Sequence, residues 1–164
     1  GAATTGILQE GDGPVFALRA TPSGGGLHPI DVYIIANRVE DIERGLYYFH
    51  PFKEELQLLR RADVTRMVRD GFFFREFVAE AAAIFLLVAN FQRTTWKYGE
   101  RGYRLCLLDA GHLAQNLVLK ATDLGCPCVP IAGFHDDLLA AELGVDGVTE
   151  ALVHSVAVGG HERR

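Results

Sequence analysis

TTWKYGERGYRLCLLDAGHLAQNLVLKATDL, residues 94–124, decides the fold, because its apolar side chains recur at helical steps until Gly125 and Pro127 stop them. The spacing predicts one long helix from Thr94 to Leu124. Within it Asp109, His112, Asn116, Lys120 and Asp123 fall on a single stripe at steps of three and four, and almost everything else is apolar. A helix with one narrow polar stripe is buried over most of its circumference, so Leu105 to Leu124 belongs either at the centre of the domain or at a subunit interface.

Working outward, Ala82 to Phe91 carries Ile84, Phe85, Leu86, Leu87 and Val88 in a run too short for a lone buried helix, which predicts a core strand. Phe74 to Ala81 and Ala62 to Asp70 read as short helices. Gly45–His50 and Glu55–Arg60 flank Pro51-Phe52-Lys53-Glu54 as a hairpin, and Ile30 to Arg38 is a strand buried on both faces. Upstream lie a breaker-rich loop, Thr21 to Pro29, and a short strand, Val15 to Arg19. Downstream, Val129 to Phe134 reads as a connecting segment, Asp136 to Leu143 as an amphipathic helix and Thr149 to Gly159 as a final strand. Strands and helices mix without the regular alternation of a doubly wound sheet, so the class is α+β.

A chain of 164 residues with 49% hydrophobic and 23% charged residues is expected to form a single domain over residues 1–164 around one core. Its net charge is -5 and its Lys and Arg are scattered, which argues against nucleic acid as a partner. The longest apolar run, Ala81 to Ala89, is about half of the roughly 20 residues needed to span a bilayer, so no membrane partner is expected. The first residues resemble no secretory signal and lack an initiator Met, which suggests a start inside a longer protein or after a cleaved tag. Cys106, Cys126 and Cys128 are odd in number, favouring reduced thiols and a cytoplasmic location. Cys126-Pro127-Cys128 could be a redox or metal element, but no second Cys/His pair sits at matching distance, so no metal is assigned. Small buried hydrophobes are the expectation for these cysteines.

Gly24-Gly25-Gly26 lets a backbone approach a ligand closely, although a flexible loop between strands explains three glycines equally well. Lys97-Tyr98 can supply a general base and a phenol that relays protons, or be a surface Lys beside an interface Tyr. His112 and Asn116 could touch a ligand or form a structural hydrogen-bonded pair. Trp96 and Phe72-Phe73-Phe74 could wall a channel, with ordinary core expected for at least two of the three Phe residues.

Five segments in order narrow these choices: Arg19 to Pro29 (RATPSGGGLHP), Gly45 to Phe49 (GLYYF), Lys97 to Arg104 (KYGERGYR), Asp109 to Asn116 (DAGHLAQN) and Pro130 to Phe134 (PIAGF). Together they resemble the SagB-type dehydrogenase branch of the FMN-dependent nitroreductases, over about Val15 to Gly159. The resemblance implies a mixed or antiparallel sheet flanked by helices, a homodimer joined through the long central helix, and one FMN in each groove between subunits. It implies that Arg19, Pro22, Ser23, Gly24 and Gly25 line the flavin and its ribityl chain. Ile131, Ala132 and Gly133 would then offer a backbone amide to flavin N5, with Asn116 a further contact. Lys97 and Tyr98 become the catalytic pair of azoline oxidation, in which a Cα proton and a Cβ hydride leave a peptide- or carrier-bound thiazoline or oxazoline.

The same resemblance implies a cyclodehydratase or carrier-protein partner. One family feature departs: no Arg-rich phosphate-binding segment precedes Arg19, which leaves either a lost upstream segment or Arg163 and Arg164 to hold the phosphate. Two other readings stand beside this one. The first is an NAD(P)H-dependent nitro or quinone reductase of the same fold, and the second a non-catalytic docking or dimerisation module.

Overall fold

A computed structural model describes residues 4–9, 11–12, 16–61 and 64–160. Strands β1 (Thr4–Leu8) and β2 (Phe16–Arg19) form an antiparallel pair ahead of the main body. The main sheet holds β3 (Ile30–Ala36), β4 (Gly45–His50), β5 (Glu55–Arg60), β6 (Ala83–Asn90), β7 (Cys128–Ile131) and β8 (Glu150–Val158). Their order is β5-β4-β3-β6-β8-β7, and every pairing is antiparallel. The expected α+β class, with helices flanking an antiparallel sheet, is what the chain forms.

Alternation along β3 and β6 makes two cores. Ile35, Ile84, Leu86 and Val88 face one side, where α1 (Thr65–Asp70), α2 (Arg75–Ala79) and α5 (Asp136–Leu143) bring Met67, Val68, Val78 and Leu139. Ile30, Val32, Leu87 and Ala89 face the other side. There they meet Cys106, Ala110, Leu113 and Ala114 of α4 (Arg101–Asp123). With apolar layers on both faces, the near-continuous Val/Ile/Leu runs of these central strands are accounted for.

Four sequence expectations are corrected. The helix expected from Thr94 to Leu124 is two helices, α3 (Gln92–Tyr98) and α4, because Gly99 adopts φ 56 and ψ −145, a region essentially restricted to glycine. Gly102 then lets α4 pass against α3, since a Cβ there would lie 2.9 Å from Thr95 Cα. Nor is α4 buried nearly all round within the chain: Leu107, Leu108 and Leu119, and Leu124 just past its end, are each more than half exposed.

Val129 to Phe134 is not merely a connection, because Cys128–Ile131 pairs with β8 at the end of the sheet, where a proline such as Pro130 is tolerated. Finally, Cys106 is buried, but Cys126 and Cys128 are only half-buried, since they follow the turn out of α4 and lead into the edge strand β7. Strand β1 went unanticipated in a Gly-rich start. Val15, at the head of the expected first strand, and Arg163 and Arg164, the alternative phosphate ligands, lie outside the described residues.

Candidate functional site

The loop between β2 and β3 is built around one carboxylate. Ser23 Oγ donates to Asp109 Oδ2 at 2.5 Å and the Gly24 amide to Asp109 Oδ1 at 3.3 Å. The His28 amide donates to Ser23 Oγ at 2.9 Å, and the Gly26 amide to the Ser23 carbonyl at 3.0 Å. Asp109 comes from the sheet-facing side of α4 and is 4% exposed. Burying a carboxylate is costly unless donors meet it, and both oxygens here are met by this loop. Asp109 was visible in the sequence only as one member of a polar stripe. Its task needed the fold.

Lys97 and Tyr98 occupy the last turn of α3 and reach the same loop. Gly25 has φ +67, and a Cβ built on it would stand 2.5 Å from Tyr98 Oη and 3.2 Å from Lys97 Nζ. The ammonium also sits 5.3 Å from the Tyr98 ring centroid, within cation–π range. Lys97 is exposed and Tyr98 half-buried. Two adjacent residues of α3 thus converge on a glycine that lies more than 70 positions earlier in the sequence.

Helix α3 is pinned by a second polar group. Arg93, one turn before Lys97, bridges to Asp31 at the start of β3 at 2.7 Å, and Tyr48 Oη donates to the same carboxylate at 3.1 Å. Burial, and then the Asp31 charge, push the Tyr48 phenol up to about 12. Arg19, at the end of β2, joins this neighbourhood. Burial is the main influence holding its guanidinium below its ordinary value, with Asp31 opposing, and among the described residues its buried Nε has no hydrogen-bond partner. Arg19, Thr21, Pro22, Ser23, His28 and Asp109 line one small pocket.

Of the stripe residues, Asn116 Nδ2 donates to Thr21 Oγ1 at 3.3 Å, which ties α4 to the loop a second time. His112 is exposed and makes no pair with Asn116 among the described residues.

Ile131, Ala132 and Gly133 lie elsewhere. They line a separate cleft of about 440 Å³ with Phe74, Phe77, Val129 and Pro130, sharing no residue with the Arg19 pocket. Ile131 is held by Ser155, whose Oγ donates to its carbonyl at 2.7 Å. The Gly133 carbonyl accepts from the Phe73 amide at 3.2 Å, and a Cβ on Gly133 would meet Phe73 at 3.1 Å. Only Phe72 of the Phe72–Phe74 run is core; Phe73 and Phe74 are 59% and 68% exposed, as Trp96 is at 73%. The expectation of two core phenylalanines is thus corrected, because the turn between α1 and α2 aims the second and third rings outward beside Gly133.

The profile of the nitroreductase family matches residues 6–160. A nitroreductase-family protein of Methanocaldococcus jannaschii is 31% identical over 73% of this chain and 60% of its own length. The Escherichia coli microcin B17-processing protein McbC is 29% identical over 84% of the chain and 53% of its own length. The trifolitoxin-processing protein TfxB of Rhizobium leguminosarum is 26% identical over 88% and 40%. The chain thus spans between 40% and 60% of the length of these curated relatives.

Among solved structures, a nitroreductase-family protein from Anabaena variabilis superposes with TM-score 0.88 at 28% identity, covering 95% of this chain and 32% of its own. The E. coli microcin synthetase McbBCD complex with truncated pro-MccB17 bound contains a chain that matches with TM-score 0.75 at 25% identity, covering 87% of this chain and 56% of its own. Matched from Gly6 to Gly160, and sharing its fold with solved structures of that family, the chain belongs to the nitroreductase family.

Proposed function

We propose that the chain is an FMN-dependent dehydrogenase that oxidises peptide- or carrier-bound thiazolines and oxazolines to azoles. The observation that carries this reading is the convergence of Lys97 Nζ and Tyr98 Oη on Gly25, in the loop that would line the flavin. The residues fit the group. Arg19 Nε is a buried donor with no partner among the described residues, Gly25 is exposed and bare of Cβ, and the cleft at Gly133 is walled by apolar side chains suited to a planar ring. Arg19, Pro22, Ser23, Gly24, Gly25 and Asn116 would hold one side of FMN, and Ile131, Ala132 and Gly133 the other. Because these two sets line separate pockets of one chain, a homodimer with the cofactor between copies is the arrangement that uses both.

When bound, FMN supplies a two-electron acceptor for the hydride that must leave the azoline ring. The chain's own part is the proton. Lys97 Nζ takes the proton from the ring Cα, and Tyr98 Oη relays it or steadies the Lys97 ammonium. The loop orients both groups. Lys97 is exposed in the isolated chain, so substrate or a second copy must cover it before the surrounding water ceases to compete. By analogy with the complex that contains McbC, a cyclodehydratase is the partner that would supply the azoline.

That same exposure favours a second reading, an NAD(P)H-dependent nitro or quinone reductase in which Lys97 and Tyr98 move no proton. One experiment separates them. The full-length protein is purified, its chromophore released and identified, and the FMN form incubated with a thiazoline peptide or with NAD(P)H and a nitroaromatic. Loss of two hydrogens from the peptide by mass spectrometry is the expected result. Turnover with NAD(P)H alone would establish the second reading, and a full-length protein that takes up no flavin would overturn both.

A further inference from the structure

Resting on the azoline-dehydrogenase reading, we propose that Asp109 is the positioning residue of the site, setting the Gly-rich loop against the Lys97–Tyr98 pair. Among the described residues the side-chain hydrogen bonds of Asp109 go to Ser23 and Gly24, not to Lys97 or Tyr98. It acts through two residues of the loop, Ser23 at 2.5 Å and Gly24 at 3.3 Å, and Gly25 follows directly in contact range of both functional atoms.

The chemistry of the buried face explains why an acid stands there. Its neighbours on that side of α4 are Cys106, Ala110 and Leu113, so a carboxylate at 4% exposure is out of character with the layer it joins. Such a group is retained only where its hydrogen bonds are supplied, and both come from the loop. Three consecutive glycines have more conformational freedom to lose than any other tripeptide. Two bonds to one rigid helix remove that freedom where it matters, immediately before Gly25. Charge-assisted bonds of this kind are roughly twice as strong as neutral ones. On the other flank, the Arg93–Asp31 bridge fixes α3, so the loop and the helix that carries Lys97 and Tyr98 are each anchored by one carboxylate.

The test uses Asp109→Asn, which leaves one acceptor oxygen where the Ser23 hydroxyl and the Gly24 amide met two, and Ser23→Ala, which keeps Asp109 but removes the hydroxyl that donates to it and accepts from the His28 amide, should the first variant fold poorly. Asp146→Asn, in a capping turn of its own, is the control. In protein labelled at tyrosine Cζ, the Tyr98 resonance is expected to move in Asp109→Asn and in Ser23→Ala, and to stay in place in Asp146→Asn. With a thiazoline peptide, kcat is expected to fall by about tenfold to a hundredfold with a much smaller change in KM, as misplacement of a reacting group does.

In a Tyr98→Phe background the same Asp109→Asn change should cost far less, because part of what it misplaces is already gone. A Tyr98 resonance that stays fixed in both loop-anchor variants overturns the proposal. So does an equal fold-loss in the two backgrounds. If the resonance moves but the wild-type protein oxidises no azoline, the positioning role stands and the azoline reading is what fails.

Discussion

A methyl group added at Gly25 would stand 2.5 Å from Tyr98 Oη, and one added at Gly26 would meet nothing within 4 Å, yet both glycines have φ +67. Replacing each by alanine therefore separates strain from collision. Both variants should lose about 1–2 kcal/mol to the left-handed backbone, measured by chemical denaturation, but only Gly25→Ala should also displace Tyr98 and lower azoline turnover. Lys97→Ala and Tyr98→Phe test the pair itself. A positioned base contributes ~10²–10⁴ in rate, so Lys97→Ala should slow flavin reduction by an azoline by that much, while reduction by dithionite is unchanged. Wild-type rates in both variants would remove the mechanism.

Tyr48 gives a prediction that needs no substrate. Its folded value is raised from 10.0 to about 12, so the native state keeps a proton that the unfolded chain releases. Its contribution is fully present below pH 10 and is lost as pH climbs through the interval to about 12. Denaturation midpoints followed through that window should fall less steeply in Tyr48→Phe.

At the scale of elements, the α3–α4 corner is where spacing misled. Periodicity ran through Gly99 and Gly102 as though they were ordinary helix positions, because a pattern of apolar residues carries no information about a backbone angle of φ 56 and ψ −145. The β4–β5 hairpin was legible to the residue, since Pro51 and the charged pair after Phe52 punctuate it. The edge strand β7 was not, since Pro130 argues against a strand until the sheet shows that its place is at the rim. Gly102 and Gly111, both on α4, make a matched test. Gly102→Ala puts a methyl 2.9 Å from Thr95 backbone atoms that cannot step aside, and should cost about 1–3 kcal/mol. Gly111→Ala has open space and should gain up to about 1 kcal/mol from helix propensity. Thermal melts of the two should move in opposite directions.

For the whole molecule, the outer face of α4 raises the question of what it meets. Leu107, Leu108 and Leu119 are 55%, 52% and 59% exposed, on the helix through which the family resemblance implies a dimer. Sedimentation of the FMN form should show a dimer, and Leu108→Glu with Leu119→Glu should yield monomers that bind flavin poorly. A stable monomer with full flavin content would sink the shared groove. Five short segments named Lys97, Tyr98 and Gly25 as candidates, but their convergence took the fold to show, because order along the chain carries no proximity. Asp109's grip on Ser23 was not legible, because a polar stripe marks a face and not a partner. A last consequence lies at the rim. Strand β7 ends the sheet, and Pro130 deprives its ladder of one N–H donor. Such a strand is a poor template for a neighbouring chain. Pro130→Thr would restore the donor beside Val129 and Ile131, and concentrated solutions of that variant should form thioflavin-positive aggregates sooner than wild type. The proline that hid the strand from its own sequence would also be what keeps one molecule from growing onto the next.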